Sequence, residues 1–437
     1  MSRSTAHTAR NAQTDSTPQS EGRVVAYSKK FVSLLTEEGS KLRLFEFVVA
    51  AVSISAIVVP GLTFPYEQMM LLFLFAYGAI RQGKYELGKY NVLLLINILF
   101  LIYLGVVSVI SVHSPEAFPW DRRLFRFALQ TAIMWFMVTG RLHIRSIVMG
   151  YTFGLLINVP LWLAGIAPSH YGEYLTGYLE DKNFSGLVYA VFGVLAFVLV
   201  KNKIQAVICL AIGSGLVWWT GSRTSIAAYV TGIIWVLIAP RVKFLWRLVL
   251  GLGLYGLINV LTSDYAQSGS FSDRAGTDWF RQRIDDASLL KLENIGIFGK
   301  GLGEATIRFP GEEKVWSFHN SYWGAEAEGG LPWLFFMVGM TVFIIINVQS
   351  KSLVRTQDMV VIQGTGIALL VCAQRLGEVF FTWPWIICCA YALRVLIITR
   401  DIEIGRAPAE DYPLTLDGRV EIGSTPRSVR KAKNANV

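Results

Sequence analysis

The chain is short of charged residues, cysteine and histidine. Only 16% of its 437 residues are charged, while 53% are hydrophobic; soluble domains carry about one-quarter charged residues. This balance excludes an ordinary soluble enzyme of this length. The four cysteines all fall inside apolar runs, which predicts small core residues and excludes a disulfide framework or a cysteine metal site.

What the sequence has in quantity is apolar runs of about 16 to 21 residues, long enough to cross a bilayer. They predict an all-α integral membrane protein with about twelve transmembrane helices. Some runs are shorter than a perpendicular helix needs, so we expect tilted or broken helices. The predicted spans are 44–63, 65–80, 92–112, 124–140, 146–167, 184–200, 204–220, 224–239, 248–262, 331–349, 359–376 and 383–399.

Polar tails flank a predicted membrane domain of residues 44–399. Residues 1–43 and 400–437 are predicted to be disordered and cytoplasmic. Because 1–43 holds no apolar stretch typical of a cleavable signal peptide, we expect the first span to act as an uncleaved anchor. The tails and alternate short loops contain 26 of the 40 Lys and Arg residues, which predicts a multi-pass protein with both termini cytoplasmic. The net charge of +9 therefore indicates topology and contact with anionic lipid, not nucleic acid.

One long polar segment, residues 263–330, is predicted to be a large extracytoplasmic loop between spans nine and ten. It holds seven basic and eleven acidic residues, so an anion site there requires a local cluster of cations. Within it, residues 274–291 predict a helix lying on the membrane surface, its apolar face resting on lipid or on helix ends. The apolar face comprises Phe280, Ile284 and Ala287, and the polar stripe comprises Arg274, Asp278, Arg281 and Asp285.

Two residues of the predicted outer face could carry chemistry. Arg223 lies in a tight turn at a membrane boundary, where a guanidinium is costly unless it is paired; the alternative is an arginine that extends to the lipid headgroups. His319 is the only histidine of the 263–330 loop, and imidazole suits proton abstraction near neutral pH. A lone histidine is also commonly structural.

Three further groups have two interpretations each. Asp181-Lys182-Asn183 either caps a helix or binds a polar ligand. Arg375, with Gln374 and Glu378, forms either a paired cluster lining a cavity or an ordinary interfacial ion pair. The Gly299-x-Gly301-x-Gly303 run follows no predicted βαβ strand, so it predicts a flexible tight turn and not a dinucleotide site.

Several of these features occur in the order typical of one family. Gly221-Ser222-Arg223-Thr224, Asp273-Arg274 with Trp279, the 299–303 glycines, and His319-Asn320 followed by Glu328 together resemble the O-antigen ligase and polymerase superfamily of bacterial envelope enzymes. Asp181-Lys182-Asn183 is similar to that family's Asp-Pro-Asn motif, with lysine in place of proline. The resemblance covers about residues 180–340.

The resemblance implies a bacterial inner-membrane glycosyltransferase that needs no metal and no cofactor and uses an undecaprenyl-pyrophosphate-linked glycan donor. It implies that Arg223 and Arg274 bind the donor pyrophosphate and that His319 activates the acceptor hydroxyl. Guanidinium groups match phosphate geometry, and imidazole accepts the proton, so the scheme is physically coherent. Further substrate-binding candidates are Asn183, Arg281, Asn320, Glu328 and Arg375.

Three functions remain open on the sequence. The first is polymerisation of lipid-linked repeat units into O-antigen or exopolysaccharide, with a chain-length regulator as a potential partner. The second is the same chemistry with another acceptor, lipid A core for a ligase or protein for an oligosaccharyltransferase. The third is a transporter or flippase, which the clustering of polar groups at one predicted face disfavours, because transporters place ionisable residues near the midplane.

Overall fold

The computed structural model describes residues 42–57, 65–200, 202–241, 275–347 and 357–403, together with residues 246, 249–251, 253 and 256. The described chain is mostly helical, as the apolar runs predict. Its twelve α-helices are α1 Leu44–Val52, α2 Tyr66–Ala79, α3 Asn91–Ile110, α4 Trp120–Val138, α5 Ile144–Leu163, α6 Lys182–Leu195, α7 Lys203–Trp219, α8 Arg223–Ile238, α9 Ala275–Glu293, α10 Ser321–Gly339, α11 Gln357–Ala373 and α12 Trp383–Glu403. Shorter elements are 3₁₀ turns at Gly88–Tyr90, Gly177–Leu179, Ala196–Leu199 and Ala239–Arg241, and a π-helical segment at Met340–Ile345.

Six helical segments of the described chain are long and apolar enough to cross a membrane. They are Gly88–Ile110, Ile144–Leu163, Lys182–Leu199, Arg223–Arg241, Ser321–Ile345 and Trp383–Arg400. Two shorter apolar helices, Lys203–Trp219 and Asp358–Ala373, accompany them. The membrane class predicted from composition is therefore supported, whereas twelve crossings remain a prediction.

The predicted spans agree with the helices at most positions. Every predicted span except the ninth overlaps a described helix; the ninth, 248–262, falls largely outside the described residues. The first prediction, 44–63, is too long as a single helix, because α1 ends at Val52 and residues 53–57 form a turn and extended chain. The fourth span begins a turn earlier than predicted, at Trp120.

Helix α12 lies at the centre of the bundle and α3 at its edge. Of the α12 span, 89% is buried by the rest of the protein, against 22% of the α3 span. A helix that is apolar on all sides is stable either in a protein core or in lipid. Helix α12 is an example of the first case and α3 of the second. Two polar side chains inside α12 are paired: Trp385 donates to Thr341 at 2.9 Å, and Arg394 donates to the Val138 carbonyl at 3.1 Å.

Helix α10 is kinked at Gly330, one residue before the predicted start of the tenth span. Gly330 has φ 66° and ψ −167°, a conformation that favours glycine. Pro332 follows it and cannot donate to the carbonyl of Glu328 four residues earlier. The Leu331 N–H leaves the helical pattern and donates to the Ile297 carbonyl at 2.9 Å.

The glycine run 299–303 satisfies the carbonyl groups at this kink. Lys300 N–H donates to the Ala327 carbonyl and Gly301 N–H to the Glu328 carbonyl, both at 2.9 Å. Gly299, Gly301 and Gly303 all have positive φ, and a Cβ on any of them would collide with neighbouring backbone. The run is therefore a closely packed turn, as a tight turn at these glycines was predicted.

A small hairpin, which the sequence did not predict, packs beneath helix α9. Strands β1 (Thr306–Arg308) and β2 (Val315–Ser317) pair antiparallel. Ile284 of α9 is fully buried in a cluster with residues of the hairpin, and the Phe280 ring lies 4.7 Å from the Trp316 ring. The apolar face predicted for α9 is thus buried, but side chains of the protein cover it in place of the lipid that was one of the two expected partners.

Candidate functional site

His319 lies between the hairpin and α10, on a backbone held from both sides. Phe318 is buried and its N–H donates to the Ala305 carbonyl at 3.0 Å. Asn320 caps α10, because its side-chain oxygen accepts from the N–H groups of Tyr322 and Trp323 at 2.9 and 3.3 Å. Side-chain capping fixes the start of a helix, so the His319 Cα has little freedom. Asn320, predicted as a substrate contact, has this capping role in the structure.

Two charged side chains from distant parts of the chain meet His319. Asp285 of α9 places Oδ1 3.7 Å from His319 Nδ1, and Arg375 places Nη1 3.7 Å from Asp285 Oδ2. We call these three residues the His319 cluster. The His319 side chain is 29% exposed and that of Asp285 is 16% exposed, so the cluster is partly accessible to a ligand.

Helix α9 places Asp285 in this cluster through its buried face. Ile284 precedes Asp285 and is fully enclosed by the hairpin cluster, which fixes the rotation of the helix about its axis. Arg283, one residue earlier, pairs with Glu312 of the hairpin at 3.4 Å. Arg281, a predicted substrate contact, is half-buried one helical turn before Asp285. Arg274, predicted to bind pyrophosphate, lies outside the described residues.

Arg223 is the first residue of α8 and follows a turn that only glycine fits. Gly221 has φ 62°, and a Cβ there would overlap the Tyr174 ring. Ser222 precedes Arg223 and is buried, with its hydroxyl 2.8 Å from that of Ser225. The Arg223 side chain is half-buried, and its position at a helix start next to a buried turn limits the directions it can take.

Asn183 lies in the first turn of α6. Asp181 caps this helix by accepting from the N–H groups of Asn183 and Phe184 at 2.9 and 2.8 Å. The capping interpretation of Asp181-Lys182-Asn183 is therefore confirmed. A Cβ on Gly186 would contact Ser222 and Ser225, so the beginnings of α6 and α8 lie side by side.

Helices α8 and α11 connect the two regions. Ser225 of α8 lies beside Cys372 near the end of α11, and Arg375 follows three residues later. The start of α8 therefore lies at the same end of the bundle as Arg375 and the His319 cluster. Of the predicted site residues, Asn183, Arg223, His319 and Arg375 are all at this end.

Glu328 lies in a different group of charges, which we call the Glu328 network. Its carboxylate is buried, pairs with Arg123 Nε at 2.8 Å and accepts from the Gly303 N–H at 3.0 Å. Glu378 pairs with Arg123 at 3.3 Å and also with Arg126. With these partners, Glu328 holds α10 to α4 and to the glycine turn, although the sequence analysis predicted that it contacts substrate.

Arg123, Arg126 and Glu67 of this network are not among the predicted site residues. Glu67, at the start of α2, interacts electrostatically with Arg126 and Glu378. An ionisable residue inside a predicted span is a functional candidate by default, and Glu67 satisfied that criterion in span 65–80. Arg123 was assigned to a loop because the span was predicted to begin at 124.

Glu378, between α11 and α12, titrates under opposing influences. Burial alone would raise the pKa of its carboxyl. The positive charges of Arg123 and Arg126 lower the pKa by more than burial raises it, so the pKa lies below the usual range. The carboxylate is therefore ionised at neutral pH. Arg375 and Glu378 were predicted to share one cluster; the structure divides them between the His319 cluster and the Glu328 network.

A third group, the Glu304 cluster, ties the segment after α3 to the loop. The Glu304 side chain is fully enclosed and accepts from Ser114 N–H and Oγ, both at 2.7 Å. Lys291 Nζ lies 3.0 Å and His113 Nδ1 3.2 Å from the carboxylate. Burial raises the pKa of Glu304, but Ser114 and Lys291 bring it below its ordinary value.

The described residues offer no group of three or more His, Cys, Asp or Glu side chains that could hold a metal ion. What the His319 cluster offers instead is an imidazole beside a carboxylate, with guanidinium groups at the same end of the bundle. Such a set can accept a proton and bind an anion. No protein-family model matches the chain, and no curated protein matches it.

Proposed function

We propose that the protein is a membrane glycosyltransferase that polymerises undecaprenyl-pyrophosphate-linked oligosaccharide units at the outer face of the bacterial inner membrane. The observation that carries the proposal is the placement of His319, Asp285 and Arg375 at the bundle end where Arg223 begins α8. A base and guanidinium groups at one membrane face suit a lipid-linked pyrophosphate donor.

In the proposed reaction, His319 accepts the proton of an acceptor sugar hydroxyl. The hydroxyl oxygen bonds to the anomeric carbon of the donor, and the bond from that carbon to the pyrophosphate oxygen breaks. The lipid pyrophosphate leaves with the electron pair and thus gains negative charge. Arg223 stabilises that charge, because a guanidinium interacts more strongly as charge develops on the leaving group. The proton on His319 then returns to solvent.

The acceptor separates the proposed polymerase from a ligase. A polymerase transfers the growing glycan to another lipid-linked unit, whereas a ligase transfers it to lipid A core. Both use the same groups at the reacting carbon, so the residues above support either enzyme. We place polymerase first and treat ligase as a separate outcome of the experiment below.

The test is a deletion strain complemented with wild type, His319→Ala or, as a matched control, His170→Ala. His170 is an exposed histidine in the turn region before α6. We expect deletion and His319→Ala to leave single lipid-linked units and no long glycan, while His170→Ala restores the polymer. Each variant is checked for normal membrane insertion.

Other outcomes have distinct meanings. Full-length lipid-linked polymer that accumulates without transfer would identify a ligase. Single units confined to the cytoplasmic leaflet would contradict the enzyme and indicate a flippase. Wild-type polymer with His319→Ala would exclude His319 as the base.

A further inference from the structure

Two buried polar atoms face each other in the His319 cluster without a hydrogen bond. Asp285 Oδ1 and His319 Nδ1 are both inaccessible to solvent, and neither finds a hydrogen-bond partner among the described residues. They lie 3.7 Å apart, just beyond hydrogen-bond length. Buried polar atoms are normally paired. A small approach of Asp285 Oδ1 to His319 Nδ1 would bring these two atoms to hydrogen-bond length.

The chemistry of imidazole gives such a bond a direction. A carboxylate oxygen only accepts, so His319 Nδ1 must carry the proton to bond with Asp285. In the neutral ring, Nε2 then holds the lone pair and is the atom able to take a proton. A carboxylate that holds histidine in one tautomer and one orientation is a known means of preparing a general base.

The surroundings of Asp285 restrict its carboxylate. Arg375 lies 3.7 Å from the other carboxylate oxygen, so rotation of the group would exchange one contact for another. The backbone beneath it is fixed by the fully buried Ile284. On the histidine side, buried Phe318 and the Asn320 cap fix the main chain. The two side chains are thus held close from both ends.

We propose that Asp285 is the positioning residue for His319: it keeps the proton on Nδ1 and turns Nε2 toward the acceptor hydroxyl. This inference rests on the proposed function, in which His319 is the base. The 3.7 Å separation contracts to hydrogen-bond length when substrate binds, since catalytic hydrogen bonds are often long before the substrate arrives. Asp285 does not itself touch the reacting atoms.

The experiment compares Asp285→Asn with a matched control, Asp286→Asn, in the full chain reconstituted in lipid nanodiscs. Asp286 is the next residue on α9 and is exposed. Histidine labelled with ¹⁵N reports the tautomer of each ring, and the His319 signal is identified by its loss in His319→Gln. We expect mainly Nδ1-protonated neutral imidazole in wild type and Asp286→Asn. In Asp285→Asn we expect that population to fall at least fivefold.

Transfer of a lipid-linked glycan provides the second readout. A positioning residue acts on the chemical step, so Asp285→Asn should lower kcat about 100-fold or more with KM changed less than about twofold. Asp285→Glu retains an acceptor and should recover part of kcat. Should Asp285→Asn fail to fold, the wild-type tautomer and Asp285→Glu still decide the matter.

The outcomes separate the two proposals. Wild-type His319 protonated mainly on Nε2, or an unchanged tautomer and kcat in Asp285→Asn, would overturn the positioning role. A tautomer shift with unchanged kcat would also overturn it if His319→Ala abolishes transfer. A tautomer shift in a protein whose transfer survives His319→Ala would leave the pairing intact and refute the proposed base.

Discussion

Replacing Glu304 with glutamine should release the segment that follows α3 from the large loop. The Glu304 carboxylate is fully enclosed and accepts two hydrogen bonds from Ser114 at 2.7 Å. It also pairs with Lys291 Nζ at 3.0 Å. The glutamine amide retains one oxygen, but its NH₂ group meets donors where the second carboxylate oxygen stood.

The cost follows from what Lys291 loses. Its side chain is only 13% exposed, and removing one partner of a buried ion pair costs about 3 to 5 kcal/mol. Lys291 retains the Thr306 carbonyl at 2.9 Å and Glu116 at 3.4 Å, so we expect a value near the lower end, about 3 kcal/mol. At about 1.4 kcal/mol per tenfold change, local opening becomes about 100 times more frequent.

Hydrogen exchange of the full chain in nanodiscs measures this opening. Peptides covering 111–119 and 299–309 should exchange about 100-fold faster in Glu304→Gln. The Phe118 N–H, which donates to the Gly303 carbonyl at 3.1 Å, reports the junction directly. Glu313→Gln, on an exposed part of the hairpin, is the matched control and should exchange as wild type. An increase of less than threefold would refute this reasoning.

The protection that Glu304 gives to this junction should also depend on pH. Burial raises the pKa of Glu304, Ser114 and Lys291 lower it more, and the folded value lies below the ordinary one. A depressed folded pKa contributes stability above the unfolded value of about 4.3, and this is lost as pH falls through the folded pKa. Below pH about 4, wild-type protection of 111–119 should therefore decline toward that of Glu304→Gln.

Three further predictions concern single positions. Gly377→Ala should lower glycan transfer about 100-fold without loss of membrane insertion, because small misplacements of a catalytic group are costly. The Cβ of the alanine would overlap the Phe318 carbonyl, which directly precedes His319. Gly215→Ala is the control and should leave transfer unchanged, since a Cβ there meets open space. Arg223→Lys retains the charge but loses the planar fork, so transfer in a reconstituted assay should fall at least tenfold, and a wild-type rate would exclude phosphate binding by its guanidinium. Glu378→Gln should lower the free energy of unfolding by about 1 to 2 kcal/mol, which is the cost of breaking a buried ion pair reduced by solvent screening. Dye labelling of the buried cysteine thiols during heating would measure this loss. An unchanged midpoint temperature of labelling would contradict the pairing.

Local pattern explains which parts of the site were predictable. Imidazole chemistry and its position in the polar loop singled out His319, and the asparagine after it lies where a helix cap is expected. The turn before Arg223 contains a glycine, which suits its φ of 62°. The apolar spacing of Phe280 and Ile284 identified the buried face of α9. Each of these signals is contained within a few residues of sequence.

The ion-pair partners of the charged side chains could not be predicted from any local sequence pattern. The sequence places Asp285 only in a polar stripe of α9, yet it meets His319 and Arg375 from other elements. Glu328 was grouped with His319 by order along the chain, yet it pairs with Arg123. The spacing of charges on one helix reports which face they share, whereas the partner on another helix depends on how the two pack.

By itself, then, the sequence determined a helical membrane protein, the approximate position of nearly every described helix, and the chemical character of the residues at one end of the bundle. Apolar runs determine this much because lipid selects for composition over the length of a span. The tertiary structure alone decided that the glycine turn supports the kink at Gly330 and that the charges divide into three groups. Those contacts join residues far apart in the chain, and they form only when the helices pack and each buried charge or carbonyl must find a partner.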